Sequence, residues 1–261
     1  VHRIIGYRLF CTKIWNAAKM FFAYCPEGFR AGKSISDFKL SAADNWILTK
    51  LKQVIISSNK NMEDHQYGTF TNDLYDFFQK QFCDVYIEAS KVALQGSDED
   101  AKLAALNTLF TVLDNSFRLF HPMMPYITEE LYQRLPYPEG AMKESIYLTD
   151  YPQDLEDFKS DEESAQKFDQ ANTIMGEIRS NFDNIGIQKK HKPEVTIKLG
   201  NDADATFYEG LNETIKFMTG SGEVKIALSG SENPTGSISK CIGDDTLFIK
   251  VVGIIDIKQE I

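Results

Sequence analysis

Apolar residues recur every three or four positions from Ile4 to Leu135 and every second position from Val195 onward, so the chain changes from helical to mixed architecture along its length. Placed on a helix at about 100° per residue, Ile4, Tyr7, Cys11, Ile14, Ala18 and Phe21 share one side. This predicts a first helix anchored by that face, and Pro26 with Gly28 ends it. Ser41 and Asp44 form a capping-box-like start for a second helix, whose apolar set is Ile47, Leu51, Val54 and Ile55 with Trp46 beside it. A long third helix follows Gly68, carrying Phe70, Leu74, Phe77, Phe78, Phe82, Val85, Ala89 and Val92 on one seam. Ser97 to Asp100 open a fourth, with Leu106, Leu109, Leu113, Phe117 and Phe120, and a short fifth holds Ile127, Leu131 and Leu135. Five amphipathic helices with short links make a helical bundle.

Residues 137 to 160 are rich in Pro, Asp and Glu and carry no sustained period, which places a domain boundary at Tyr151-Pro152. Beyond it, Phe168, Ala171, Met175, Ile178 and Phe182 mark one helix, and Phe207, Leu211, Ile215 and Met218 mark another. Val195-Ile197-Leu199, Val224-Ile226-Leu228, Ile238 to Ile242 and Leu247-Ile249-Val251 alternate as strands. The fold class is therefore α+β in two domains: an all-α bundle over 1–152 and a small α/β domain over 153–261. The chain opens on Val1 with no cap residue ahead of the first helix, so it reads as a piece of a longer protein.

A chain of 261 residues with 43% hydrophobic content can bury a substantial core. No apolar run reaches the roughly 18 residues of a membrane span, and no signal peptide is evident, which predicts a soluble, cytoplasmic protein with no membrane partner. Cys11, Cys25, Cys83 and Cys241 stand far apart, without zinc-ligand or disulfide-framework spacing. The net charge of −10 argues against a surface that binds polyanions everywhere. It is unevenly spread: residues 1–33 carry six Lys and Arg against one acid, while residues 96–163 carry five against fifteen. An anionic partner engaged at the basic end fits that distribution, and so do helix faces that merely differ in solvation.

Residues for chemistry are not assembled. His2, His65, His121 and His191 lie apart, and His121 before Pro122 reads as a satisfied polar group at a helix junction. The glycines between 220 and 243 never form a phosphate-cradling motif. Asp84 and Glu88 share a helix face and read as partners for Lys or Arg of a neighbouring element. No catalytic residue and no metal site is predicted. The first helix, however, carries Arg8, Thr12, Trp15, Asn16 and Lys19 beside its core face, a stripe of donors with one large aromatic that suits RNA. Lys189, Lys190 and Lys192 form a second basic cluster or a solvated loop.

The run RLFCTKIWNAAKMFF from Arg8, then Asp44 to Leu51, then FCDVYIEASK with Glu88, then HPMMPYITEELY from His121 resembles class I valyl-tRNA synthetases of the eukaryotic cytosolic type. The similarity covers the first two-thirds of the chain well and the remainder more weakly. It implies the helical anticodon-binding domain of that enzyme class and the small α/β domain after it. The resemblance further implies a monomeric ligase that attaches valine to tRNA(Val) with ATP and Mg. Its HIGH and KMSKS signatures and its editing domain lie in an upstream catalytic part that this segment lacks, so the segment needs no cofactor and performs no chemistry alone. The implied partners are the anticodon arm of tRNA(Val) and that upstream domain of the same chain. The candidate RNA-binding residues are Arg3, Arg8, Lys13, Asn16 and Lys19. Trp15 is placed toward the core, with stacking on a base as its other reading. Isoleucyl and leucyl enzymes share the bundle, and a protein-interaction scaffold with a basic docking end is the alternative from another class.

Overall fold

The computed structural model describes residues 2–32, 34–187 and 191–251, with the side chains of 2–4 outside the description. The chain divides into two compact units, 1–165 and 166–261. Among the described residues no helix is long and apolar enough to cross a membrane.

The first unit is built from α1 (His2–Tyr24), α2 (Ala42–Glu63), α3 (Tyr67–Asp76), α4 (Ile87–Leu94), α5 (Glu99–Phe120) and α6 (Pro125–Tyr132), with a π-helical segment, Phe77–Tyr86, joining α3 to α4. The start of α2 follows from its first residues. Ser41 Oγ accepts from the Asp44 backbone N–H at 3.2 Å, and the Asp44 carboxylate accepts from the Ser41 backbone N–H at 2.8 Å, closing the capping box. Asp98 caps α5 by accepting from the N–H groups of Asp100 and Ala101. Ile47, Leu51, Leu106, Leu109, Leu113 and Phe117 are fully buried where α2 and α5 cross the middle of the unit. Asp44 reaches across as well, accepting from Tyr86 Oη at 2.5 Å, so a polar contact pins α2 to the π segment inside the apolar core.

The face predicted for α1 holds over its second half only. Ile14, Ala17, Ala18 and Phe21 are buried, but Cys11 is half-buried and Tyr7 is 71% exposed, while the side chain of Ile4 lies outside the described residues. The reason is local: residues 5–9 are all exposed, so the helix begins before its partners reach it. Phe10 supplies the contact instead, its ring lying 4.9 Å from Tyr75 and edge-on to Phe120 at 5.6 Å.

After α6 the chain folds back on the bundle. Tyr137 and Arg118 both donate to the buried Asp114 carboxylate, Asn59 donates to the Pro152 carbonyl at 2.8 Å, and Lys52 pairs with Asp154 at 3.1 Å. Leu155 and Phe158 are buried in the same unit. The acidic, aperiodic stretch is thus a strap tied to α2 and α5. His121 meets Thr128 Oγ1 at 2.8 Å, the satisfied junction expected of it.

The second unit contains α7 (Glu162–Asn184), whose first turn precedes the division, α8 (Ala205–Gly210), α9 (Asn212–Thr219) and a four-stranded mixed sheet. Strands β1 (Val195–Lys198), β2 (Val224–Ala227), β3 (Ser237–Ile242) and β4 (Asp245–Lys250) lie in the order β2-β1-β4-β3, with only β1 and β2 parallel. Gly222 is required where it stands, since a Cβ there would come within 2.2 Å of the Lys192 carbonyl oxygen. The single helix read from Phe207 to Met218 is broken at Gly210–Leu211 into α8 and α9, and Tyr208 rather than Phe207 is buried.

Candidate nucleic-acid interface

The stripe on α1 is present in the structure. Residues 8, 12, 15, 16 and 19 step by three and four along one side of the helix, all exposed, while Ile14, Ala17, Ala18 and Phe21 hold the opposite side in the core. From Arg8 to Lys19 the stripe rises about 16 Å, the product of eleven residues and the helical rise per residue. Because its other face is anchored by buried side chains, the stripe is displayed on a rigid element, with its far end tied by a hydrogen bond from Gln95 to Tyr24 Oη at 2.7 Å.

Its members differ in availability. No described residue hydrogen-bonds or pairs with the side chains of Arg8, Asn16 or Lys19, which leaves two cations and one amide with unused donors and acceptors. Thr12 is turned inward on the backbone, donating to the Arg8 carbonyl at 3.1 Å, and offers no free donor. Trp15 is 42% exposed, so the placement of its ring in the core does not hold. Its position beside Asn16 on the solvent side leaves part of the indole open. Lys13 lies off the stripe: its Nζ contacts Asp84 Oδ1 of the π segment at 2.7 Å, with side chains 30% and 53% exposed. Asp84 thus pairs with a cation of another element, as its sequence reading expects without naming Lys13, whereas Glu88 pairs at 2.6 Å with Lys91 of its own helix and not with a neighbouring element. Arg3 has its side chain outside the described residues.

Cys83, next to Asp84, is buried, and burial pushes its thiol up to about 12, with the nearby Lys13 charge acting in the opposite direction. Burial likewise raises Cys25 to about 11. Thiols held that far up carry almost no thiolate at neutral pH and are poor nucleophiles. In the second basic cluster only Lys192 is described; it is exposed, in a left-handed conformation at φ 42°, while Lys189 and Lys190 lie outside the described residues.

What the stripe offers is a rigid row of donors around an open aromatic ring. Such a row can hold phosphates with its cations, stack one base and read a base edge with an amide that both donates and accepts. The π-helical turn and Asp84's hold on Lys13 escape sequence reasoning, because both depend on which elements pack together.

Comparison with known proteins points the same way. Residues 44–197 match the family model described as the anticodon-binding domain of tRNA ligase. The valine–tRNA ligase of Mus musculus is 29% identical over 263 residues, covering all of this chain and 21% of the relative. That of Aquifex aeolicus is 32% identical over 266 residues, covering 97% of this chain and 22% of the relative. That of Schizosaccharomyces pombe is 36% identical over 187 residues, 71% of this chain and 19% of the relative. The chain spans about a fifth of the length of these curated relatives. Helix α1 precedes the matched family segment but falls within the alignment to the mouse protein.

Proposed function

The chain belongs to the family of anticodon-binding domains of tRNA ligases, and from that premise we propose that it holds the anticodon arm of valine tRNA for a valine–tRNA ligase. The observation that carries this reading is the rigid α1 stripe, where Arg8, Asn16 and Lys19 stand exposed, without side-chain partners among the described residues, beside an open face of Trp15. An anticodon is a single-stranded loop, recognised when its bases are splayed out, stacked on aromatic planes and hydrogen-bonded at their edges while cations hold the phosphates. In this reading Arg8 and Lys19 take phosphates, Trp15 stacks a base and Asn16 reads an edge. The segment is non-catalytic. The full-length enzyme, a monomer of the cytoplasm, attaches valine with ATP and Mg in its remaining parts; the relatives named valine–tRNA ligases support the joining of valine to tRNA.

Titration of the protein with valine tRNA and a non-cognate tRNA tests the proposal. Arg8→Ala with Lys19→Ala should weaken both and flatten the salt dependence by about 0.7 of a log unit per lost phosphate contact. Asn16→Ala should cost about 1 to 3 kcal/mol and reduce the preference for the valine anticodon. Equal affinity for both tRNAs in the unaltered protein would sink the anticodon reading and leave a basic docking end for an acidic protein.

A further inference from the structure

Residues 150–158 cross the bundle with little backbone structure to hold them. Among the described residues, the one backbone hydrogen bond they make is internal, from the Phe158 N–H to the Leu155 carbonyl at 3.1 Å. Side chains of α2 supply the hold. Asn59 donates to the Pro152 carbonyl at 2.8 Å. Two turns earlier, the Lys52 ammonium meets Asp154 Oδ1 at 3.1 Å, the Phe158 carbonyl at 3.3 Å and the Leu155 carbonyl at 3.5 Å, so its three N–H donors face three acceptors of one short turn. The same stretch carries Asp150, Asp154, Glu156 and Asp157 and no Lys or Arg of its own, so Lys52 also offsets their mutual repulsion.

Leu155 and Phe158 are buried, yet a cavity of about 510 Å³ remains between the strap and α5, walled on the α5 side by Phe110, Asn115 and Arg118. The Tyr151 hydroxyl is buried there without a hydrogen-bond partner among the described residues. A segment seated over a void lacks dispersion contacts that a packed one keeps, and it opens more readily. Both ends of the strap stay anchored. Upstream, Glu129 of α6 accepts from Ser145 Oγ at 2.8 Å and from the Ile146 N–H at 3.1 Å. Downstream, Gln53 donates at 2.8 Å to the Glu162 carboxylate in the first turn of α7.

We propose that residues 150–158 open and close over this cavity as one unit, and that Lys52 is the latch. Loss of the ammonium releases three of the four α2 ties at once, whereas loss of the Asn59 amide releases one. Opening turns residues 150–161 into a free loop between the two anchors and uncovers the α5 wall with Asn115 and Arg118. The latch requires neither RNA nor the ligase reading.

The test is digestion of the full-length protein with a glutamate-specific protease, which cuts after Glu156, together with hydrogen exchange read by mass spectrometry. Lys52→Met keeps the aliphatic stem and removes the charge. It should speed cleavage after Glu156 about tenfold to a hundredfold and raise exchange over residues 153–158 together, while α2 and α5 keep their protection. Asn59→Ala should speed the same cut about twofold to tenfold, and less than Lys52→Met does. Cleavage of Lys52→Met at the unaltered rate overturns the proposal, as does a gain no larger than that of Asn59→Ala. Exchange that rises in α2 and α5 as much as in the strap overturns it too, since Lys52 would then hold the whole bundle and not one segment.

Discussion

Asp44 shows what a single residue does at two levels. Its carboxylate closes the N-terminal box of α2 through Ser41 and anchors the π segment through Tyr86, and it is buried with no ion pair to a cation among the described residues. Burial raises its pKa above the ordinary value of 3.8, and hydrogen bonds from Ser41 and Tyr86 oppose that rise. The stability tied to this group is therefore complete below 3.8, where the carboxyl is protonated folded or unfolded, and declines as pH rises through the elevated folded value. Tyr86→Phe removes one donor from a charge that has few. It should cost about 1.5 to 3 kcal/mol where Asp44 is ionised and about 0.5 to 1.5 where it is protonated, so the penalty grows from about pH 4 toward neutrality. Urea unfolding followed through the buried Trp46 measures it. A penalty flat over that interval would mean that the carboxyl stays protonated in the folded protein.

At the scale of elements, α1 and the π segment decide how much positive charge the interface presents. Lys13 is held by Asp84, so an RNA phosphate reaches it only by displacing a carboxylate. The π geometry of 77–86 shifts the helical register where Asp84 sits, and such segments recur at functional sites. Asp84→Asn should free Lys13, tighten tRNA binding and steepen its salt dependence by about 0.7 of a log unit, and adding Lys13→Ala should abolish the gain. Salt-dependent titrations of the two variants check this; a loss of affinity in Asp84→Asn would instead make Asp84 a strut that aims Lys13 at the RNA. Much of this element was legible in the residues. The spacing of Ile14, Ala18 and Phe21 gave the buried face, and Arg8, Asn16 and Lys19 gave the exposed one, because helical period is a local property. Tyr7 is misplaced because periodicity says which way a side chain points, and neighbours decide whether anything is there to cover it, whereas the spacing of Trp15 puts it on the exposed stripe and its placement toward the core runs against that spacing. The box at Ser41 and Asp44 was legible since its partners lie three residues apart. The π segment depends on packing and left no local signal, whereas the break falls at Gly210, a helix-breaking residue that the apolar spacing alone passes over.

Over the whole molecule, charge separates a local interface from a diffuse one. A protein with a net charge of −10 repels RNA over most of its surface, so binding has to come from the few cations gathered near the start of the chain. Among the described side chains of α1, Arg8 and Lys19 are free and Lys13 is available in competition with Asp84, which bounds their phosphate contacts at about three. At about 0.7 of a log unit per contact on single-stranded nucleic acid, log affinity against log salt should then fall with a slope of about −2. Fluorescence titration with valine tRNA between about 50 and 200 mM salt measures that slope directly, and over this fourfold range the affinity should drop by roughly tenfold to twentyfold. A much steeper dependence would require a dozen or so contacts, more than α1 can supply. It would move the interface to other basic positions, with Lys192 in the second unit as the first to replace.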